Sequence, residues 1–362
     1  MIAKALKKSA KRLRSNLSGV VSSSLLSEVR ELILSARARV AQTVNVSLTM
    51  LYWNIGRRIR KDILREQRAE YGQEVIQTLS KQLIAEFGSG FTVRNLANMV
   101  RFAEVFVNKK ILHTLCAKLS WSHFRLIIYL EDDLKRDFYA EMCRIEGWSV
   151  RTLEKKIGGM LFERTALSRK PKKLIRHELN TLRTEDKLTP DLVFRDPYFL
   201  NFLGLHDHFV EKDLEEAIMR EMESFVLELG RGFTFVARQK RITVDHDDHY
   251  LDLLFYHRGL RRLVAIDLKL RDFKPGDKGQ MELYLRWLEK HEMQSDEEPP
   301  IGLILCAGKK QETVELLELE KSGIRVAAYW TDIAPRALLE KKLHDAIVLA
   351  REQLTRKALS GN

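Results

Sequence analysis

The sequence predicts an α+β protein in two parts: an all-helical N-terminal domain, then an α/β domain built on a mixed sheet. Three observations predict it. Between residue 25 and about residue 107 apolar residues recur at helical spacing. From about residue 211, short β-rich runs follow and alternate with helical stretches in the order α-β-β-β-α-β, which gives a mixed sheet with helices on both faces. The stretch 250–270, YLDLLFYHRGLRRLVAIDLKL, reads as a hairpin of two buried strands around a turn at Arg258-Gly259. A chain of 362 residues has room for two such domains, each with its own core.

Residues 1–22 are basic (Lys4, Lys7, Lys8, Lys11, Arg12, Arg14) and read as a mobile tail, able at most to touch phosphates non-specifically. Residues 23–165 form the helical domain. Its first helix, 25–68, carries Val29, Leu32, Ile33, Val44, Leu48, Leu51 and Tyr52 at helical intervals, and Tyr71-Gly72 interrupts it. A second helix covers 73–87, Gly88-Ser89-Gly90 turns the chain, and Thr92 caps a helix running to 107.

That pattern recurs. Gly90-Phe91-Thr92-Val93-Arg94-Asn95-Leu96 is echoed by Gly147-Trp148-Ser149-Val150-Arg151-Thr152-Leu153, which predicts two helix-turn-helix-like units. In the first, Arg94, Asn98 and Arg101 share a helical face that could meet phosphates or base edges; Arg151 takes the place of Arg94 in the second. A solvated bundle face, or one used to form a homo-oligomer, explains them equally. Trp121 and His123 read as packing and capping residues.

Residues 166–190 change character: Arg169, Lys170, Lys172, Lys173 and Arg176 crowd around Pro171, and Pro190 closes the stretch, as in a basic interdomain linker with some helix at 173–182. The second domain, 191–362, is expected to run helix 211–229, strands 233–239, 250–256 and 263–270, helix 277–291, strand 301–307, helix 311–321, strand 325–330 and helix 335–355.

Net charge of +12 and a pI near 9.5 favour a polyanionic partner, nucleic acid before anionic lipid, since no basic amphipathic anchor is evident. No apolar run approaches a membrane span. The three cysteines, Cys116, Cys143 and Cys306, have neither zinc nor disulfide spacing and fit a reducing cytoplasm.

The hairpin carries three charges a buried strand should avoid: Asp252, Asp267 and Lys269. Ala265, Asp267 and Lys269 share one strand face, and a turn centred on Gly259-Leu260 sets Asp252 opposite Asp267. Such charges either neutralise each other as a structural salt bridge or hold a metal. Mg²⁺ suits the second reading: it takes oxygen ligands, polarises a phosphoryl oxygen and acidifies water. A neighbouring lysine can orient that water or stabilise the developing oxyanion.

Asp252 followed by Asp267-Leu268-Lys269 resembles the PD-(D/E)XK nuclease signature. The phrases LLFYHR, IDLKL, GQMELYL and IGLILC, with YWNIGRRI, GFTVRNLANMVRF and LSWSHF earlier, resemble the YhcG-like family of nucleases over nearly the whole chain. The resemblance implies a restriction-endonuclease-like domain at 191–362, Mg²⁺ (or Mn²⁺) as cofactor, and DNA as partner. It further implies that a glutamate of the 211–229 helix completes the acidic set. Glu215 matches best, with Glu211, Glu216 and Glu223 as alternatives. Gln280 and Tyr284 resemble the Gln-xxx-Tyr feature bordering some active sites of the superfamily, though a plain amphipathic helix explains them almost as well. Gln239 and Lys240 are weaker candidates for a substrate contact. His246, Asp247, Asp248 and His249 read as a solvated hairpin loop before a metal cluster.

The function that follows is Mg²⁺-dependent phosphodiester hydrolysis of DNA, branched or foreign, in repair, recombination or defence. Two alternatives stand beside it: a nuclease-fold protein that binds nucleic acid without cutting, and an interaction protein whose helical domain serves assembly.

Overall fold

The computed structural model describes the backbone of residues 2–66, 69–205, 210–331 and 335–360. It separates into two compact units, Met1–Glu131 and Asp132–Asn362.

The first unit is helical throughout. Helix α1 (Ile2–Glu66) is followed by α2 (Ala69–Phe87), α3 (Val93–Val105), α4 (Lys109–Cys116) and α5 (Trp121–Ile127). The expected basic tail coincides from Ile2 with the beginning of α1; the side chains of residues 1–22 lie outside the described residues. The expected break at Tyr71-Gly72 falls inside α2. Thr92 caps α3 as expected, its hydroxyl accepting the Asn95 N–H. His123 closes the cap of α5, with Nδ1 2.8 Å from Ser120 Oγ.

The phrase Tyr52-Trp53-Asn54-Ile55-Gly56 sets how closely α1 and α3 approach. Trp53 is buried and donates its Nε1–H to Phe106 O at 2.8 Å, while Tyr52 packs on Trp121. A Cβ on Gly56 would stand 1.8 Å from Met99 O, a backbone atom with no means of swinging aside. Gly56→Ala is therefore expected to force the two helices apart and cost about 3 kcal/mol. Denaturant unfolding followed by circular dichroism checks this; an unchanged profile would mean that the crossing is looser than described.

The second unit begins with four helices: α6 (Asp133–Glu146), α7 (Val150–Gly158), α8 (Leu161–Arg164) and α9 (Lys172–Glu185). Ser149 caps α7 as the sequence echo predicts, and Gly147 ends α6 in a left-handed conformation. The compact units part at Glu131, so the basic stretch expected as a linker lies within the second unit. Most of it is α9, which buries Ile175, Leu179 and Leu182. Several of its charges are paired: Arg183 with Glu141, Lys170 with Asp191 and Glu178, and Arg169 with Asp196.

Beyond it come α10 (Pro190–Val193), α11 (Glu211–Arg220) and α12 (Met222–Leu229), then a sheet flanked by α13 (Pro275–His291), α14 (Gln311–Leu316) and α15 (Arg336–Ser360). The strands are β1 (Tyr198–Phe199), β2 (Phe233–Val244), β3 (Asp247–His257), β4 (Arg262–Lys269), β5 (Ile301–Cys306) and β6 (Ile324–Trp330), in the order β1-β6-β5-β4-β3-β2. The meander β2-β3-β4 is antiparallel, and β4, β5, β6 and β1 are parallel neighbours, so the sheet is mixed as expected. β1, only two residues long, is absent from the expectation.

Both faces are covered. Val264, Ile266 and Leu268 pack with Leu214, Ile218 and Phe225 of α11 and α12; Leu263 and Ala265 pack with Met281, Tyr284 and Leu288 of α13. That alternation is the strand period read from the hairpin.

Candidate active site

The β3–β4 register pairs Leu253 with Ile266 and Leu254 with Ala265. One step further sets Asp252 beside Asp267, as a turn centred on Gly259-Leu260 requires. Asp252 Oδ2 accepts the Leu268 N–H at 2.8 Å, which ties its carboxylate to β4. Asp267 is 2% exposed, and its Oδ2 lies 2.8 Å from Lys269 Nζ.

Burial is the main reason the Asp267 carboxyl is pushed up to about 6; Lys269 opposes this, while Asp252 and Asp277 add repulsion. Burial also raises Asp252, against the Leu268 N–H and Lys269. For Lys269 burial pulls downward, but the charge and hydrogen bond of Asp267 prevail and raise it, so the ammonium persists at neutral pH.

Glu215, on α11, is buried and held elsewhere. Arg238 Nε donates to its Oε1, and Gln239 Nε2 donates to its Oε2 at 2.9 Å. The same Gln239 amide reaches Asp252 Oδ1 at 3.1 Å. Gln239 thus bridges two of the expected carboxylates, from a backbone at φ 47°, in the left-handed region that a non-glycine residue seldom occupies. Among the described residues no three His, Cys, Asp or Glu side chains converge closely enough to enclose a metal ion. The structure therefore brings Asp252, Asp267 and Lys269 together but leaves Glu215 one amide away. Of the other acidic candidates on the same helix, Glu211 accepts the Leu270 N–H at 3.2 Å, at the end of β4.

The donor set suits a divalent cation nonetheless. It offers only carboxylate oxygens, the hard donors that Mg²⁺ prefers. Two of these carboxyls are raised by burial, a strain that a cation between them would relieve.

The remaining candidates separate. Tyr284 is buried, accepts from Gln280 Nε2 at 2.7 Å and donates to Tyr250 O at 3.1 Å, so the Gln280–Tyr284 pair braces α13 against β3. Lys240 pairs with Glu292 at 2.6 Å, which occupies it away from any substrate. The turn between β2 and β3 is only Asp245-His246; Asp247, Asp248 and His249 belong to β3, and Asp248 is engaged by Arg241 and Thr243.

In the first unit the expected face Arg94–Asn98–Arg101 does not stay together. Asn98 is 2% exposed and its Oδ1 accepts from the Tyr129 hydroxyl. Arg101 donates Nε–H to Ile128 O at 2.8 Å and lies over the Tyr129 ring. Those contacts withdraw both from base edges. Arg94 is exposed, as is Arg151 in the second unit.

Sequence reasoning missed the bridging role of Gln239 and the pairing of Arg238 with Glu215. The signal available was the Asp245-His246 turn, whose register sets Gln239 beside Asp252, between the pairs Arg238–Leu253 and Lys240–Leu251.

Comparison with known proteins divides the chain later, leaving residues 165–190 between two family matches. Residues 28–164 match the family profile described as the DUF1016 N-terminal domain, and residues 191–344 match the YhcG PDDEXK nuclease domain. The chain is 36% identical over 308 residues to the Escherichia coli (strain K12) protein named "Putative nuclease YhcG", spanning 77% of this chain and 81% of that one. Among solved structures, a repair endonuclease from Pyrococcus abyssi shares 21% identity at a TM-score of 0.25, over 36% of this chain and 50% of that chain. An EndoMS–dsDNA complex shares 21% identity at a TM-score of 0.26, over 33% and 46%. This chain therefore spans about half the length of either structure.

Proposed function

The chain belongs to the YhcG-like family of PDDEXK nucleases, and from that premise we propose that it hydrolyses phosphodiester bonds in DNA with Mg²⁺, Mn²⁺ substituting. The observation that carries this reading is Asp252 and Asp267 side by side on adjacent strands, with Lys269 Nζ 2.8 Å from Asp267. We assign residues 191–362 to cleavage and the helical 23–165 to DNA binding, with exposed Arg94 and Arg151 as phosphate contacts.

Asp252 and Asp267 would hold the ion, with Glu215 as the third carboxylate. A bound divalent ion supplies charge stabilisation of the phosphoryl group and acidifies water. Lys269 is protonated at neutral pH, so it acts as a donor and not as the base: it orients the attacking water or stabilises charge growing on the phosphate. Gln239 holds Glu215 and Asp252 at fixed separation.

One observation favours a second reading. Glu215 is already neutralised by Arg238, and Asp267 by Lys269, as in a protein that binds DNA without cutting it. A panel of linear, nicked, forked and four-way DNA, with RNA alongside, separates the two. Cleavage in Mg²⁺ that stops with chelator supports the nuclease; salt-sensitive binding without products supports the alternative.

Metal should also report on folding. Mn²⁺ is expected to raise the melting temperature by an amount set by its concentration relative to its Kd. Asp252→Asn keeps the shape, removes one ligand charge and should lose most of that rise. An equal rise in wild type and variant would put the ion elsewhere.

A further inference from the structure

Helix α1 carries an inward face between residues 42 and 53 and an opposed apolar one between residues 33 and 51. One turns into its own unit: Gln42 donates to Ala117 O at 3.2 Å, Asn45 to Cys116 O and Leu119 O at 3.0 Å, and Thr49 and Trp53 are buried. At about 100° per residue, Ile33, Ala36, Val40, Val44 and Leu51 fall on the opposite side. That side is mainly apolar and exposed, with Val40 64% and Val44 58% exposed, Ser47 within it, and Arg37 and Leu48 at its edge. An ordinary helix offers water its polar face; this one offers water an apolar stripe about five turns long.

We propose that this stripe pairs with the same stripe of a second copy of the chain, the two α1 helices running antiparallel. Its apolar residues are arranged symmetrically about the level of Gln42, as a two-fold interface requires. Rotation about that level sets Ile33 against the partner's Leu51, Ala36 against the partner's Leu48, and Val40 against the partner's Val44. The charges agree with the direction. Parallel pairing would align Arg30, Arg37 and Arg39 with their own copies, whereas antiparallel pairing brings them to the levels of Asn54, Ser47 and Asn45. Removing the stripe from water buries about 500 Å² per copy, hence about 1,000 Å² in all, the size at which specific association begins.

The test is the mass of the full chain in solution by light scattering during gel filtration, at about 50 µM, well above a micromolar Kd. Twice the 42.2 kDa chain mass is expected. Val40→Glu with Val44→Glu should give a monomer with unchanged circular dichroism, since both positions are solvent-exposed. A wild-type monomer, or a double variant that stays dimeric, overturns the proposal. Should the double variant misfold, crosslinking decides. Val40→Cys mixed with Val44→Cys should form a disulfide-linked pair more readily than either alone, the native cysteines being buried. Equal or greater crosslinking within either single variant overturns the antiparallel pairing.

Discussion

Asp267→Ala and Lys269→Ala are expected to abolish DNA cleavage while leaving DNA affinity nearly unchanged. Both side chains act where negative charge develops during hydrolysis, and a group that works only in the transition state contributes to rate and not to binding. Loss of one such group costs about 10²–10³ in kcat, and loss of a metal ligand at least as much. Affinity rests on basic surface elsewhere in a chain of net charge +12. Each substitution strands a buried partner, because Lys269 and Asp267 neutralise each other at 2.8 Å. Asp267→Asn, which keeps shape and hydrogen bonding, and a melting curve for each variant separate lost chemistry from lost fold. Full activity in Asp267→Ala would remove the site from this hairpin.

Asp196→Asn is expected to cost about 3–5 kcal/mol, the penalty for stranding one half of a buried ion pair. Asp196 lies between α10 and β1, where it meets Lys309 Nζ and Arg169 and accepts the Ala328 N–H at 2.9 Å. Burial alone would raise its carboxyl, but Lys309 and Arg169 hold it down to about 2. A folded-state value below the unfolded one means that this stabilisation is complete above about pH 4 and is lost as pH falls toward 2. Urea unfolding at pH 7 and at pH 3 checks both statements. Wild type should lose stability on acidification more steeply than Asp196→Asn, and Lys309→Met should restore part of the variant's loss. Equal pH slopes would show that Asp196 is not the group responsible.

The hairpin was legible because a strand periodicity and a turn position agreed on it. The alternation of Val264, Ile266 and Leu268 identified the buried face, and the Gly259-Leu260 turn centre set the register that pairs Asp252 with Asp267. The caps Thr92 and Ser149 were legible for a local reason: a hydroxyl before an apolar-periodic run satisfies an N–H of the first turn.

What failed to show was whatever depends on distant partners. Arg94, Asn98 and Arg101 do lie close in helical phase, but phase does not say which side faces inward; Tyr129, far along the chain, decides that by taking Asn98. The 166–190 stretch has the proline and charge content of a linker, yet its arginines and lysines meet Glu141, Asp191 and Asp196, and composition cannot reveal those pairings. Glu215 was found by resemblance; its link to Asp252 depends on Gln239, whose left-handed backbone no local pattern announced.

The most direct measurement is the time course of duplex and four-way DNA cleavage by the full chain in Mg²⁺, in chelator, and with Asp252→Asn in Mg²⁺. The account predicts products with the wild-type chain in Mg²⁺, none in chelator, and a rate reduced by about 10² or more in Asp252→Asn. Cleavage that persists in chelator, or that proceeds at the wild-type rate in Asp252→Asn, would contradict it.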